Sequence, residues 1–307
     1  MTDFRSALVT GGNGFIGRHL VRRLASGGHA VTILQRSSDC VVGAKELLRV
    51  DPLSPDAISA VLASRRFDWV FHLASYGVRP QDRDIEPMFR VNVDATRRLI
   101  EIASAWPPRA LVLVGTGAEY AAHGTDRPLS EDQPLEHFKL YGASKAAGTL
   151  GSAAIARARN APFAAARLFG VYGPGEAPHR LLPSLVDGLK SMRRVALTDG
   201  RQKRDFLFVD DAVDALIMLS ESLERKPCQI IVNIGTGKPI SVRNFAERVA
   251  AALGASIERL GFGDIPMRPD EAMVFSGDPT LVQNVTGWQP RIDLDQGIRL
   301  SIADPAA

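Results

Sequence analysis

The chain has 307 residues, 45% of them hydrophobic, which is enough for a full core and more than one average domain needs. A formal net charge of +3, with the arginines scattered instead of striped, gives no sign of a nucleic-acid surface. Cys40 and Cys228 lie outside any C-x-x-C pair, which argues against a disulfide framework or a thiolate metal site, and no apolar run is long enough to span a bilayer.

The start runs into an apolar stretch with no charged-then-apolar leader, which predicts a cytoplasmic protein in a reduced compartment. Residues 4–10 read as a buried strand, and Phe15, Ile16, Leu20, Val21 and Leu24 recur at helical spacing up to Gly27-Gly28. Between them Gly11, Gly14 and Gly17 form a glycine-rich strand-to-helix joint. Its uses are a tight turn, close approach of backbone N–H groups to a pyrophosphate, and close helix–strand contact. The next strand, 30–34, ends where a dinucleotide fold reads the adenosine ribose, and an acid is expected there for the 2′-hydroxyl of NAD. This chain has Gln35, Arg36, Ser37 and Ser38 instead. A guanidinium beside hydroxyls suits a 2′-phosphate and favours NADP(H), with NAD(H) possible. The bland alternative has Arg36 stacked on the adenine or turned to solvent.

A third strand, 47–50, delivers Asp51-Pro52, and a helix over 54–64 returns to the buried run 67–74, in which His72 reads as a satisfied core histidine. A loop carrying Tyr76 and Arg79 precedes a long helix with Val91, Asn92, Thr96, Leu99 and Ile102. A fifth strand, 110–114, opens into Gly115-Thr-Gly-Ala-Glu-Tyr120. Twenty-five residues on from Thr116, Tyr141 and Lys145 stand four apart at the start of a helix reaching about Asn160, and so share a face. An ammonium beside a phenol favours the phenolate and brings its pKa towards the working range. A lone Y-x-x-x-K is more often an ordinary helix surface; here it accompanies the glycine joint in the expected order. A hydroxyl at the end of strand five and a tyrosine on the following helix meet over the C-terminal edge of a parallel sheet, where open α/β sheets bind ligands. After a sixth strand, 163–168, Tyr172-Gly-Pro-Gly175 forms a turn cluster. The pieces 180–190, 195–198, 241–253 and 256–260 read as a smaller lobe, while helix 211–223 and strand 230–233 return to the main sheet.

These motifs resemble the extended short-chain dehydrogenase/reductase family of nucleotide-sugar epimerases, dehydratases and reductases. The resemblance covers nearly the whole chain. It is carried by T-G-G-N-G-F-I-G at 10–17, H-L-A at 72–74, Asn92-Val93, Thr116, Tyr141 and Lys145, Tyr172-Gly-Pro, Arg204-Asp-Phe-Leu-Phe-Val-Asp-Asp211, Asn233-Ile-Gly-Thr-Gly237, Arg268 and Gly287-Trp288-x-Pro290. It implies an α/β, doubly wound parallel sheet (a Rossmann domain, residues 1–170 with 205–235 returning to it). A smaller substrate-binding lobe would be formed by 171–204 and 236–307. It implies a cofactor cradle of Gly11, Asn13, Gly14, Phe15, Ile16, Gly17, Arg36, Ser37, Asp51, Pro52, Leu73, Ala74, Ser75, Asn92, Tyr141 and Lys145. In the implied site Thr116 polarises the reacting oxygen, Tyr141 moves its proton, and Lys145 holds the nicotinamide ribose and lowers the tyrosine pKa. Thr116, Arg180, Arg204, Arg268 and Glu271 would contact a nucleotide-sugar substrate, and no metal is called for. The resemblance also implies a homodimer paired through the helix at 88–105, with Met88, Val91, Leu99 and Ile102, and the helix from Tyr141.

Subclass is read from what is missing. The 4,6-dehydratases carry Asp-Glu after the threonine, where this chain has Gly117-Ala118, and the cysteine of the 3,5-epimerase-reductases is absent. Hydride transfer at a sugar C4 remains. The look of Gly-Thr-Gly-Ala-Glu-Tyr and Gln35-Arg36 favours NADPH-dependent reduction of a nucleoside-diphosphate 4-keto-6-deoxy sugar over NAD-dependent 4-epimerisation. The intact threonine, tyrosine and lysine disfavour a non-catalytic NADP-binding sensor. Two departures, Phe169-Gly170 for an asparagine and Arg180-Leu-Leu-Pro183 for Asn-Leu-x-Pro, leave the nucleoside base open.

Overall fold

In the computed structural model, which describes residues 4–51, 53–121 and 127–304, strand and helix alternate from the start. The first half contains β1 (Ser6–Thr10), α1 (Phe15–Ser26), β2 (Ala30–Gln35), β3 (Glu46–Arg49), α2 (Pro55–Leu62) and β4 (Trp69–His72). A helix in three parts follows: α3 (Ile85–Phe89), a wide π turn over Arg90–Ala95, and α4 (Thr96–Ser104). Then come β5 (Ala110–Thr116), α5 (Leu140–Ala158) and β6 (Phe163–Leu168). The fifth strand thus runs two residues past its expected end, and Thr116 is its last residue.

Seven parallel strands are ordered β11-β6-β5-β4-β1-β2-β3, where β11 is Gln229–Ile234. This is the expected doubly wound sheet. The chain leaves β1 toward β2 and later returns on its other side as β4, so a crevice opens between β1 and β4 at the strand ends. Both faces are covered, which is why the strands are apolar at nearly every position. Ala7 and Val9 face a core with Leu20, Val21 and Leu24 of α1 and Leu216, Leu219 and Leu223 of α7 (Val209–Arg225). Leu8, between them, faces Ile58 and Leu62 of α2 and Leu99 and Ile100 of α4. Each such fully buried leucine, isoleucine or valine side chain contributes about 1.5–3 kcal/mol. At the sheet edge away from the crevice, Glu224 of α7 accepts hydrogen bonds from Arg5 (2.6 Å), Arg109 (2.5 Å) and the Trp69 indole (3.1 Å). Burial alone would raise its pKa; these donors outweigh that and hold it at about 2.

Beyond β6 the elements are shorter: β7 (Val171–Tyr172), α6 (Leu181–Lys190), β8 (Val195–Leu197), β9 (Lys203–Arg204) and β10 (Leu207–Phe208). After α7 and β11 come β12 (Ile240–Ser241), α8 (Val242–Ala252), β13 (Leu260–Phe262), β14 (Val274–Phe275), α9 (Thr280–Thr286) and α10 (Leu294–Ala303). A separate core forms from Leu182, Leu185 and Leu189 of α6, Phe245 and Val249 of α8, and Ile298 of α10. Phe206 and Phe245 stack there with ring centroids 4.0 Å apart. The pairing of β7 with β10 fixes the turn after β6 over the crevice.

Candidate active site

The crevice is a cleft of about 930 Å3 whose wall runs from the glycine joint and Arg36 to Tyr141 and Arg180. At the joint Gly11 has φ +68°, and a Cβ there would lie 2.8 Å from the Ala74 backbone nitrogen. A Cβ on Gly17 would run into the Gly11 carbonyl, so α1 packs against the turn only because that position is glycine. Gly14 caps α1 without a side-chain hydrogen bond. The first N–H groups of the helix are therefore available to an anion.

At the end of β2, Gln35 is buried and its Nε2 donates to the carbonyl of Asp39 (2.8 Å) and to Ser37. The Ser37 hydroxyl oxygen accepts from Asn13 (3.0 Å) and from Gln35 (3.2 Å), leaving its own proton to donate elsewhere. Arg36 is exposed and, with Arg18, Asn13 and Ser37, lines this end of the cleft. Asp51 is not on the wall. Its carboxylate turns back to the Leu53 N–H, and Pro52 lies outside the described residues.

Leu73, Ala74 and Ser75 line the cleft after β4. Their backbone is held by one buried chain of hydrogen bonds. The Ala74 N–H donates to Thr10 Oγ1 (3.2 Å), which is 2.6 Å from His72 Nδ1; His72 Nε2 is 2.8 Å from Thr96 Oγ1, which donates to the Val91 carbonyl (3.1 Å). Thr96 spends its proton on Val91, so His72 Nε2 carries the hydrogen of its bond to Thr96; with the ring neutral, Nδ1 accepts from the Thr10 hydroxyl. Burial, then the charge of Lys145, pushes the histidine pKa down to about 3. Asn92, expected in the cofactor cradle, stands behind the wall. It clamps the Tyr76 N–H and C=O (both 2.9 Å) and donates to Ser144 of α5 (3.0 Å).

Thr116, Tyr141 and Lys145 all line the cleft where β5 and α5 meet. Thr116 Oγ1 accepts from the Ala118 N–H (3.2 Å), which leaves its proton to give to the Tyr141 phenol, with which it interacts, or to a ligand oxygen. The Thr116 N–H is itself fixed by Glu119 Oε1 (3.0 Å). Burial raises the Tyr141 pKa; Ser75, Arg180 and Thr116 draw it back in part, and Glu119 adds to the rise. The net shift of Tyr141 is thus upward, and the Lys145 Nζ is buried and directed at the Val114 carbonyl (2.9 Å). Its own pKa is lowered by burial, with Glu119 opposing.

Of the expected substrate contacts, Arg180 lines the cleft and Arg204, Arg268 and Glu271 do not. Arg204 bonds Glu271 directly and also the Ala272 carbonyl (2.7 Å), so this pair is closed on itself, while Arg268 is exposed. Among residues the sequence reading passed over, Arg18, Glu176 and His179 line the cleft. An acid and a histidine in the turn cluster after Tyr172 were the available signal. Glu119 and Arg167 form a fully buried ion pair (2.8 Å) beneath Thr116, with the guanidinium 4.4 Å over the Tyr120 ring.

Residues 7–235 match the sequence profile of the NAD dependent epimerase/dehydratase family. The chain is 30% identical to UDP-glucose 4-epimerase of Mycolicibacterium smegmatis, covering 96% of each chain. It is 29% identical to CDP-abequose synthase of Salmonella typhimurium, covering 95% of each. Among solved structures, MoeE5 in complex with UDP-glucuronic acid and NAD superposes with a TM-score of 0.85 at 31% identity, covering 97% of this chain and 98% of that one.

The ion pair beneath Thr116 generates a stability test. Glu119→Leu strands the Arg167 guanidinium in the core and is expected to cost about 3–5 kcal/mol, whereas Glu119→Leu with Arg167→Met removes both charges and should recover most of the loss. Chemical denaturation of the three proteins checks this; an undiminished single variant would show that the pair does not hold the site.

Proposed function

The chain belongs to the NAD dependent epimerase/dehydratase family, and on that premise we propose that it reduces the C4 keto group of a nucleoside-diphosphate 4-keto-6-deoxy sugar with NADPH. The observation that carries the reading is the convergence of Thr116, Tyr141 and Lys145 at one end of a cleft whose other end holds the glycine joint and Arg36. The three relatives bear the names of nucleotide-sugar enzymes or held a nucleotide sugar.

The wall fits a dinucleotide: a left-handed glycine at Gly11, an uncapped helix start at Gly14, and Ser37 with a spare proton beside Arg36. When bound, the nicotinamide cofactor supplies the hydride. The residues do the rest. Tyr141, kept protonated at neutral pH by its raised pKa, is suited to donate a proton to the reduced oxygen. Thr116 donates its hydroxyl hydrogen bond to the same oxygen as negative charge grows on it. Lys145 donates from its Nζ to the Val114 carbonyl and so holds its ammonium end beside the cofactor site. At the adenosine end the Arg36 guanidinium and the Ser37 hydroxyl suit a 2′-phosphate.

A second reading, 4-epimerisation with the cofactor retained, is favoured by the likeness to UDP-glucose 4-epimerase and by the NAD held in MoeE5. Absorbance of reduced nicotinamide separates the two. Net oxidation of NADPH with UDP-, CDP-, dTDP- or GDP-linked 4-keto-6-deoxy sugars supports reduction, while interconversion of 4-hydroxy sugars with no net consumption supports epimerisation.

We also propose a homodimer, through a different face from the one expected. Met88, Val91 and Leu99 are buried within the protomer itself. Phe89 is 38% exposed and Leu150 of α5 is 49% exposed, the latter alongside the small exposed residues Ala147 and Ala154. Light scattering is expected to give twice the chain mass at micromolar concentration, and Leu150→Glu a single-chain mass; a monomer before substitution rejects the assembly.

Two substitutions test the chemistry. Tyr141→Phe keeps the ring and removes the proton, so turnover should fall roughly 100- to 10,000-fold with NADPH affinity unchanged; normal turnover would sink the assignment. NADPH should bind more tightly than NADH, and Arg36→Ala should narrow the gap by about 1–3 kcal/mol. Fluorescence titration reads this, and equal affinity for both cofactors before substitution would rule it out.

A further inference from the structure

One carboxyl in the cleft has no part in this chemistry. Glu176 lies in the turn after β7, and its side chain is 8% exposed. Its Oε1 faces Arg180 Nε at 3.5 Å, long for a charge-assisted bond, and its Oε2 is buried with no hydrogen-bond partner among the described residues. Buried carboxyl oxygens are almost always bonded, so an orphan on the wall of a cleft marks a place where a ligand brings the missing donor.

The sheet indicates which ligand. Arg36 and Ser37 follow β2 and Glu176 lies beyond β6, with β1, β4 and β5 between these strands. Four strand spacings, roughly 19 Å, separate the two ends. Thr116 and Tyr141 stand between them, so an extended cofactor reaching from Arg36 to Tyr141 leaves Glu176 on the far side of the reacting atoms. Arg180 acts on the carboxyl of Glu176 and on the Tyr141 phenol alike, which sets all three around one space.

We infer that Glu176 is a specificity-determining residue whose free carboxyl oxygen takes a hydrogen bond from a ring hydroxyl of the sugar held against Tyr141. This rests on the reading of the cleft as a nucleotide-sugar site. Burial, with Arg180 opposing, pushes the Glu176 pKa up to about 7, so both protonation states occur near neutrality. A hydroxyl, which donates and accepts, satisfies either one.

Calorimetry on the full chain loaded with NADP+ tests it. UDP-, CDP-, dTDP- and GDP-glucose are titrated first, and the tightest of them is compared with its 2-deoxy, 3-deoxy and 6-deoxy counterparts. Glu176→Leu should weaken the parent sugar nucleotide about 10- to 100-fold, and Glu176→Gln, which still accepts, by no more than about threefold. NADPH affinity should be the same in all three proteins, which also shows that the variants fold. One deoxy counterpart should bind the unaltered protein more weakly than its parent and the leucine variant equally well. Equal sugar-nucleotide affinity in Glu176→Leu overturns the inference alone. A parallel loss of NADPH affinity also overturns it, assigning the carboxyl to the cofactor. Failure of the unaltered protein to bind any of the glucose nucleotides overturns the underlying reading, and the inference with it.

Discussion

The site depends on the buried polar chain that starts at the Ala74 N–H and ends at the Val91 carbonyl. Through Thr10, His72 and Thr96 it ties β1, β4 and the helix covering them into one unit, and every member has its partner. In a low-dielectric interior such a chain is strong when complete and expensive when broken. His72 stays neutral across the physiological range because burial and the nearby ammonium hold its pKa at about 3. The chain therefore keeps one arrangement, and the wall formed by Leu73, Ala74 and Ser75 keeps one shape. Asn92 extends the same unit sideways, joining the Tyr76 backbone to Ser144 and so to the helix that bears Tyr141 and Lys145.

On the other side of the cleft the support is ionic. Glu119 belongs to the segment just after β5 and Arg167 to β6, and the pairing of Gly115 with Arg167 brings them together. One carboxylate oxygen goes to the guanidinium and the other to the Thr116 N–H. The threonine is thus placed by a charge at its back, and its hydroxyl is left to face the cleft. The two supports differ in kind: one is neutral and spans three elements, the other is a charge pair bound to a single strand register.

Local signals made much of this legible in the sequence. Apolar runs between glycine turns gave the strands, helical spacing gave α1 and α5, and three glycines gave the joint, because each property depends on neighbours within a few residues. What escaped depends on distant partners. Glu119 and Arg167 are 48 residues apart and meet only through the strand register. Arg204 and Glu271 were assigned to a substrate, but strand β9 lies beside β14 and brings their charges together. Asn92 was placed on the cofactor, since nothing in its immediate sequence says that the helix widens there. Spacing and the family resemblance both assign the tuning of Tyr141 to Lys145; the lysine is on the right face, with its Nζ directed at the Val114 carbonyl.

The π turn over Arg90–Ala95 has a consequence for how chain length can vary. Each residue added to or removed from a helix turns everything beyond it by about 100°. Met88 before the turn and Leu99, Ile100 and Ala103 after it all face inward with the wide turn in place. The six residues of a wide turn with i→i+5 bonds advance the helix by about as much as five in an ordinary α-helix, so losing one residue there would tighten the turn and leave α4 in phase, with Thr96 still beside His72. A single-residue deletion is therefore expected to be tolerated within this segment and excluded from the flanking α-helical parts, where it would turn α4 off the sheet by about 100°.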